Sequence, residues 1–220
     1  MNKETLERYN NFLYHYNQTE DHVKLYKHLL ENKDIIDIGS NIGFFSLSIC
    51  KNINYKSLHL FEPSKVYFED SKIILQDYNN IYFNNYGLGN MEETKTLYKS
   101  PSKNIGWNTF LEKDPNQPKQ FTDQMIHEDC HIKILDTYYK DIDNIDFIKI
   151  DVEGYEHNVL SGSLQLIQKF KPHLFVEVGW GTNHPYWNEC EEVYRKIFEI
   201  GYKNINFTNE TQDILFEPFT

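Results

Sequence analysis

The sequence predicts one α/β domain in which parallel strands alternate with covering helices. Three observations lead there. From Asp34 onward, short apolar runs recur between segments with helical character: DIIDIG (34–39), SLHLFEP (57–63), IYFNNYGLG (81–89), IDFIKIDV (145–152) and HLFVEVG (173–179). The first run ends in glycine and the second in proline, which stops a strand. The chain closes with YKNINFTN (202–209) and TQDILFEP (211–218), two strands joined tightly enough to be antiparallel.

Taken in order, residues 2–31 read as one or two amphipathic helices, with Leu6, Leu13, Val23, Leu25, Leu29 and Leu30 as the apolar positions. They form an N-terminal helical extension, residues 1–33, to a main domain over 34–220. Helices follow over 43–52 and 64–78, then the strand at 81–89 and a short hairpin arm, TKTLYKS (94–100). Residues 100–128 are polar, contain Pro101, Pro115 and Pro118, and read as a long loop of the kind that serves as a functional cover. CHIKIL (130–135) resumes strand character, and IDFIKIDV is the most apolar strand of the set. A helix runs from about Tyr155 to Phe170 and another over 187–200. There is no internal repeat and no low-complexity segment.

Composition limits the partners. With 220 residues, 40% hydrophobic and 15% aromatic, the chain can bury a sizeable core. Its formal net charge of -11 disfavours an extended nucleic-acid or anionic-membrane surface, which needs clustered lysine and arginine. No apolar run approaches the roughly 20 residues that cross a bilayer. The N-terminal segment is polar, unlike a secretory signal peptide. Cys50, Cys130 and Cys190 are far apart and odd in number, so neither a disulfide framework nor a thiolate zinc site is expected. A reducing, cytoplasmic setting fits these features.

In open parallel sheets, ligands bind at the carboxyl ends of the strands. The first strand ends in Asp37-Ile38-Gly39-Ser40-Asn41-Ile42-Gly43-Phe44, a tight strand-to-helix turn whose backbone can press against a ligand. The second ends in Phe61-Glu62-Pro63, with the acid 19 positions beyond Gly43. A carboxylate beside a glycine turn is placed to accept hydrogen bonds from both ribose hydroxyls of a nucleoside. A dinucleotide would need a G-x-G-x-x-G turn open to pyrophosphate, but here Ser46 replaces the third glycine. Asp37 adds a negative charge that repels phosphate and suits a cationic amino-acid tail. S-adenosylmethionine, with an ammonium, a sulfonium and no phosphate, fits these electrostatics better. An adenine ring is expected near Tyr86 and Gly87, at the third strand's end.

DIIDIGSNIGFFSLSIC, LHLFEPS and IDFIKIDVEGYEHNVLSGS, in that order and spacing, resemble the FkbM family of methyltransferases over roughly residues 34–179. DVEGYE is the most specific of these elements. The resemblance implies a Rossmann-like class I methyltransferase fold: a mostly parallel seven-stranded sheet with an antiparallel last strand and helices on both faces. It also implies methylation of hydroxyl oxygens on macrolides, sugars and related metabolites. The expected cofactor contacts are Asp37, Gly39, Ser40, Asn41, Gly43, Phe44, Glu62, Pro63, Tyr86 and Gly87, with Asp151 and Glu153 from the fourth strand's tip.

Methyl transfer is an in-line displacement, so the protein must align the acceptor and take its proton. Asp151 is the residue expected to hydrogen-bond the acceptor hydroxyl, although it also fits an N-cap for the next helix, with Glu153 in that helix's first turn. Glu177 ends the next strand and runs toward His184, and both are candidates for base or acceptor ligand. Asp151, Glu177 and His184 together would suit Mg²⁺ or Mn²⁺, but nothing in the spacing demands an ion and none is expected. Trp180 and Trp187 are candidate walls for the acceptor, and residues 104–109 a candidate cover.

The reading is therefore an S-adenosylmethionine-dependent O-methyltransferase for a small-molecule or glycan acceptor. Alternatives are ribose 2'-hydroxyl methylation of RNA, for which Lys149 is the available lysine, an inert nucleoside-binding module, and an NAD-dependent oxidoreductase.

Overall fold

The computed structural model describes residues 1–100, 106–112, 125–138, 142–178, 183–204 and 213–219. The chain starts with α1 (Lys3–Leu25) and α2 (Lys27–Leu30), then β1 (Asp34–Ile38), α3 (Phe44–Asn52), β2 (Ser57–Phe61), α4 (Lys65–Ile74) and β3 (Ile81–Asn84). Next come β4 (Gly87–Leu88), β5 (Glu93–Lys99), β6 (Asn108–Thr109), β7 (Ile126–Lys133) and α5 (Leu135–Tyr138). The second half contains β8 (Phe147–Ile150), α6 (Glu156–Ser161), α7 (Leu164–Phe170), β9 (His173–Glu177), α8 (Trp187–Ile200), β10 (Tyr202–Asn204) and β11 (Asp213–Pro218).

Seven strands form the main sheet in the order β10-β11-β9-β8-β1-β2-β3. β3, β2, β1, β8 and β9 run parallel, while β11 is antiparallel to both β9 and β10. This is the Rossmann-like class I methyltransferase arrangement, with the reversed strand at β11.

Strict alternation of side chains divides the core between two layers. Ile36, Ile148, Leu174, Ile214 and Phe216 face α6, α7 and α8, where they meet Val159, Leu160, Ile167, Val193 and Ile197. Ile35, Phe147, Phe175 and Leu215 face the other way, toward Val23, Phe44, Phe45 and Leu47 of α1 and α3. The helix read as an N-terminal extension thus contributes to the core itself. Phe44 is ringed by Tyr9, Phe12 and Tyr16 at centroid distances of 5.1, 5.7 and 5.5 Å. Thr5 donates to the buried Asp70 of α4 at 2.6 Å, and Arg8 pairs with the same carboxylate.

Several local readings change, among them the loop read over 100–128, where Asn108–Thr109 form β6 and β7 begins at Ile126. The run 81–89 is two strands, because Asn85 Nδ2 reaches back to the carbonyls of Glu62 and Pro63 and turns the chain. β4 then joins a second sheet, β4-β7-β5-β6, in which the expected hairpin arm pairs with the eight-residue β7. The single helix read over 155–170 is two, interrupted at Gly162 and Ser163. The second of these, α7, has its first amides capped by Asp136, which accepts from Gln165 and Leu166 at 3.0 and 2.9 Å. That cap comes from about 30 residues away and has no local signature.

Candidate active site

A cleft of about 400 Å³ opens where the carboxyl ends of β1, β2, β8 and β9 meet the second sheet and α1. One end is built by the glycine bend and Glu62. Gly39 has φ +77°, and a Cβ there would lie 1.8 Å from the carbonyl oxygen of Asp151, so only glycine lets the β1 and β8 tips meet. The bend passes through Asn41 at φ +50° and ends at Gly43.

Glu62 is 6% exposed and lines the cleft. Its carboxylate accepts the Asn41 amide at Oε2 and the Ser64 amide at Oε1, both at 2.8 Å. Two backbone donors fix the acid against the bend. Burial nevertheless pushes its carboxyl up to about 7, because those bonds only partly offset desolvation. Behind it, Glu128 of β7 accepts from the Ser64 hydroxyl and the Lys65 amide, both at 2.9 Å, and pairs with Lys99 at 2.5 Å. The second sheet thereby holds the turn after β2 in place.

The floor is an ion-paired row. Asp37 and Lys149 are register partners on adjacent parallel strands. Lys149 Nζ lies 3.4 Å from Asp37 Oδ1 and 3.1 Å from Asp151 Oδ2. Asp37 is fully buried and also accepts from Ser46 Oγ at 2.7 Å. Burial alone would lower the Lys149 pKa, but Asp151 and Asp37 outweigh it and raise it, so the ammonium persists.

At the far end, the β8–α6 turn carries Glu153 at φ +52° and Gly154 at φ +96°. Glu156 holds this turn by accepting the amides of Val152 and Gly154 at 3.0 and 3.2 Å. Burial raises the Glu156 carboxyl to about 7. Glu156 thus takes up amides of the turn, and the helix itself has Tyr155 at its N-cap with no side-chain cap bond. Asp151 is not the cap, and Glu153 precedes the helix rather than starting it. Both line the cleft, as does Glu177. Burial, then Asp151, Glu153 and Glu156, push the Glu177 carboxyl well above the usual carboxylate range. Asp213 of β11, the register partner of Glu177, is raised in the same direction by burial and Asp151.

Of the residues anticipated from sequence, Gly39, Ser40, Asn41, Phe44, Glu62, Pro63, Gly87, Asp151, Glu153 and Glu177 border this one cleft. Four do not. Asp37 alternates onto the face beneath α1 and α3 and is spent on Lys149 and Ser46. Gly43 faces α4, where a Cβ would meet Leu75 Cδ1 at 3.1 Å. Tyr86 turns into the main core against Phe61, its hydroxyl donating to Asn84 Oδ1 at 3.1 Å. His184 is buried behind the β8–α6 turn. Its Nδ1 accepts the Tyr186 amide at 3.0 Å, so the protonated Nε2 donates to the Gly154 carbonyl at 2.7 Å. Both ring nitrogens are occupied, and the imidazole braces the turn rather than facing the cleft.

Trp187 begins α8 and does not line the cleft, while Trp180 and residues 104–105 lie outside the described residues. Gly106, Trp107 and Asn108 do line it, and Thr109 Oγ1 donates to the Glu153 carbonyl at 2.6 Å. Sequence reasoning missed Phe12, Thr19 and His22, which reach the cleft from one face of α1, and Asp213. The helical spacing of the first three and the alternation of DILFEP were the available signals.

The family model for the methyltransferase FkbM domain matches residues 37–203. The chain belongs to the FkbM methyltransferase family. This FkbM domain is 26% identical over 142 residues to Methyltransferase 1 of Beauveria bassiana (strain ARSEF 2860), covering 58% of this chain and 57% of the relative. It is 27% identical over 168 residues to Methyltransferase sdnD of Sordaria araneosa, covering 64% of each chain. The matched part thus spans about three-fifths of these two relatives. Among solved structures, it resembles the FkbM methyltransferase of Methylobacillus flagellatus KT with TM-score 0.56 and 16% identity, over 87% of this chain and 49% of that one. Fibrillarin of Aeropyrum pernix, solved with bound S-adenosyl-L-methionine, follows at TM-score 0.50 and 10% identity, over 86% of this chain and 67% of that one. At these identities the structural matches speak for the fold. Among the described residues, no helix is long and apolar enough to cross a membrane.

Proposed function

We propose that this FkbM domain is an S-adenosylmethionine-dependent O-methyltransferase acting on a hydroxyl of a carbohydrate or other small hydroxylated metabolite. The observation that carries the reading is the pairing of two acidic ends in one cleft. Glu62, pinned by two backbone amides, stands at one end, and Asp151 with Glu177 at the other.

The residues present fit the cofactor. The bend from Gly39 to Asn41 presents its backbone to the cleft, and the buried Ser40 Oγ has no hydrogen-bond partner within the protein. Glu62 would accept the ribose hydroxyls, and the backbone of residues 39–41 would hold the amino-acid end. When bound, S-adenosylmethionine supplies an electrophilic methyl group on a sulfonium.

The rest falls to this chain's own side chains. Asp151, held by Lys149, would hydrogen-bond the acceptor hydroxyl and take its proton, with Glu177 beside it. Trp107 and the second sheet close over the acceptor and exclude water. The acid-lined cleft disfavours RNA and pyrophosphate, since the positive charge of Lys149 is already paired with Asp37 and Asp151.

Titration with S-adenosylhomocysteine, followed by methyl transfer from labelled cofactor to a panel of sugars and sugar-bearing metabolites, tests the reading. Product carrying the label on oxygen is expected. Absence of S-adenosylhomocysteine binding would overturn the methyltransferase reading, and tight binding with no transfer to any hydroxyl would favour an inert nucleoside-binding module.

A further inference from the structure

Behind the β8–α6 turn the protein gathers two histidines and a cysteine, none of which lines the cleft. His157 lies on α6, Cys190 on α8, and His184 in the segment that leads into α8. All three are buried, at 7, 4 and 7% exposure. One ring nitrogen of each histidine and Cys190 Sγ lie within 4.8 Å of one another, and Cys190 Sγ is 3.6 Å from His184 Nδ1. His157 meets Asn158 Nδ2 through Nε2 at 2.7 Å, which leaves its Nδ1 shut off from solvent without a hydrogen-bond partner. Whether that nitrogen carries a proton or a lone pair, a buried polar atom goes unmet, and this is costly unless something else binds it.

We propose that His157, His184 and Cys190 form a structural Zn²⁺ site that ties α6 to α8 behind the cleft. One thiolate and two neutral imidazoles suit a borderline-soft, tetrahedral ion rather than Mg²⁺ or Ca²⁺, which take oxygen ligands. Bonds of about 2.3 Å to sulfur and about 2.0 Å to nitrogen place those two atoms about 3.6 Å apart at the tetrahedral angle. Cys190 Sγ and His184 Nδ1 already stand at 3.6 Å. His184 is also oriented as a ligand must be, because its Nε2 donates to the Gly154 carbonyl at 2.7 Å and leaves the Nδ1 lone pair on the sulfur side. Asn158 serves His157 in the same way once its amide oxygen is turned to Nε2. Binding displaces one hydrogen bond, that of the Tyr186 amide to His184 Nδ1, and releases the thiol proton to solvent. Glu156 and Glu189 act electrostatically on Cys190 and offset the single positive charge that the ion retains. The three ligands come from separated elements, so the chain shows none of the paired-cysteine spacing that announces such a site, and the sequence expectation of no thiolate site is revised here. Through the His184–Gly154 bond, the ion stiffens the turn that carries Glu153. The site stands independently of the methyl acceptor.

The test uses Co²⁺ as a coloured stand-in for Zn²⁺, titrated into the full, reduced, chelator-stripped chain. One Co²⁺ per chain is expected, with the visible bands of tetrahedral geometry and a near-ultraviolet thiolate-to-metal band, both lost on adding Zn²⁺. Cys190→Ser should remove the thiolate band, and His157→Gln should weaken binding about tenfold or more. Zn²⁺ should raise the melting temperature of the wild type but not of His157→Gln. Should either variant fail to fold, X-ray absorption at the zinc edge of the wild-type complex reads the site directly, with one sulfur neighbour expected. No Co²⁺ uptake at millimolar concentration, octahedral bands, a thiolate band that survives Cys190→Ser, unchanged affinity in His157→Gln, or a zinc edge without sulfur would each overturn the proposal.

Discussion

Replacing Glu62 with glutamine separates the acid's service to a ligand from its cost to the fold. The carboxylate sits 6% exposed between two backbone donors, and its pKa is raised from 4.5 to about 7 by burial. Between those two values the folded state holds a proton that the unfolded chain has released. By linkage, stability therefore falls as pH rises from 4.5 to about 7 and is level above it. A carboxyl moved that far is worth about 3 kcal/mol against the charged form. Glu62→Gln removes this dependence while leaving that of Glu156 in place. Denaturant unfolding at about pH 5 and pH 8 should show wild type losing about 2–3 kcal/mol more than the variant over that interval.

The ligand responds in the opposite sense. Hydrogen bonds from ribose hydroxyls to a charged partner contribute about 1.5–3 kcal/mol. Calorimetric titration should then find S-adenosylhomocysteine bound about ten- to hundredfold more weakly by the variant at pH 8. Wild-type affinity should rise with pH through about 7, and the variant's should not. Parallel stability curves together with an affinity change below about twofold would refute the placement of Glu62 at the nucleoside end.

Other parts of the cleft yield sharper yes-or-no outcomes. Lys149→Met leaves the fully buried Asp37 without its cation and should cost about 3–5 kcal/mol in chemical denaturation, largely restored by adding Asp37→Asn. Gly39→Ala drives a Cβ into the Asp151 carbonyl at 1.8 Å and should yield little folded protein by circular dichroism, whereas Gly43→Ala, against the flexible Leu75 side chain at 3.1 Å, should cost only about 1–3 kcal/mol. His184→Gln should lower the melting temperature yet leave the pH profile of methyl transfer unshifted, since its ring nitrogens are engaged by Gly154 and Tyr186; a displaced profile would return it to the reaction. Trp107→Ala should raise KM for the acceptor while leaving S-adenosylhomocysteine affinity unchanged, as measured by steady-state kinetics and calorimetry.

The strand runs, the glycine bend, the acid after β2 and the DVEGYE turn are local patterns, and each falls at a strand tip where an open parallel sheet must gather its ligands. Those features made the sheet, its reversed strand and the polar tips of the cleft legible from the sequence alone. What the sequence did not disclose depended on which partner each group met in space. Asp37 and Asp151 both lie near the carboxyl end of a strand and look alike in the chain, but the first is buried beside Lys149 beneath α1 while the second, paired with the same lysine, stays partly open to the cleft. His184 is an ordinary loop histidine until Gly154 and Tyr186 claim both its nitrogens. The split of the 155–170 helix follows from a cap by the distant Asp136, and the reach of Phe12, Thr19 and His22 into the cleft follows from α1 packing on α3. Periodicity fixes which way a side chain points along its own element, whereas the charge or carbonyl it meets is set by an element elsewhere in the chain.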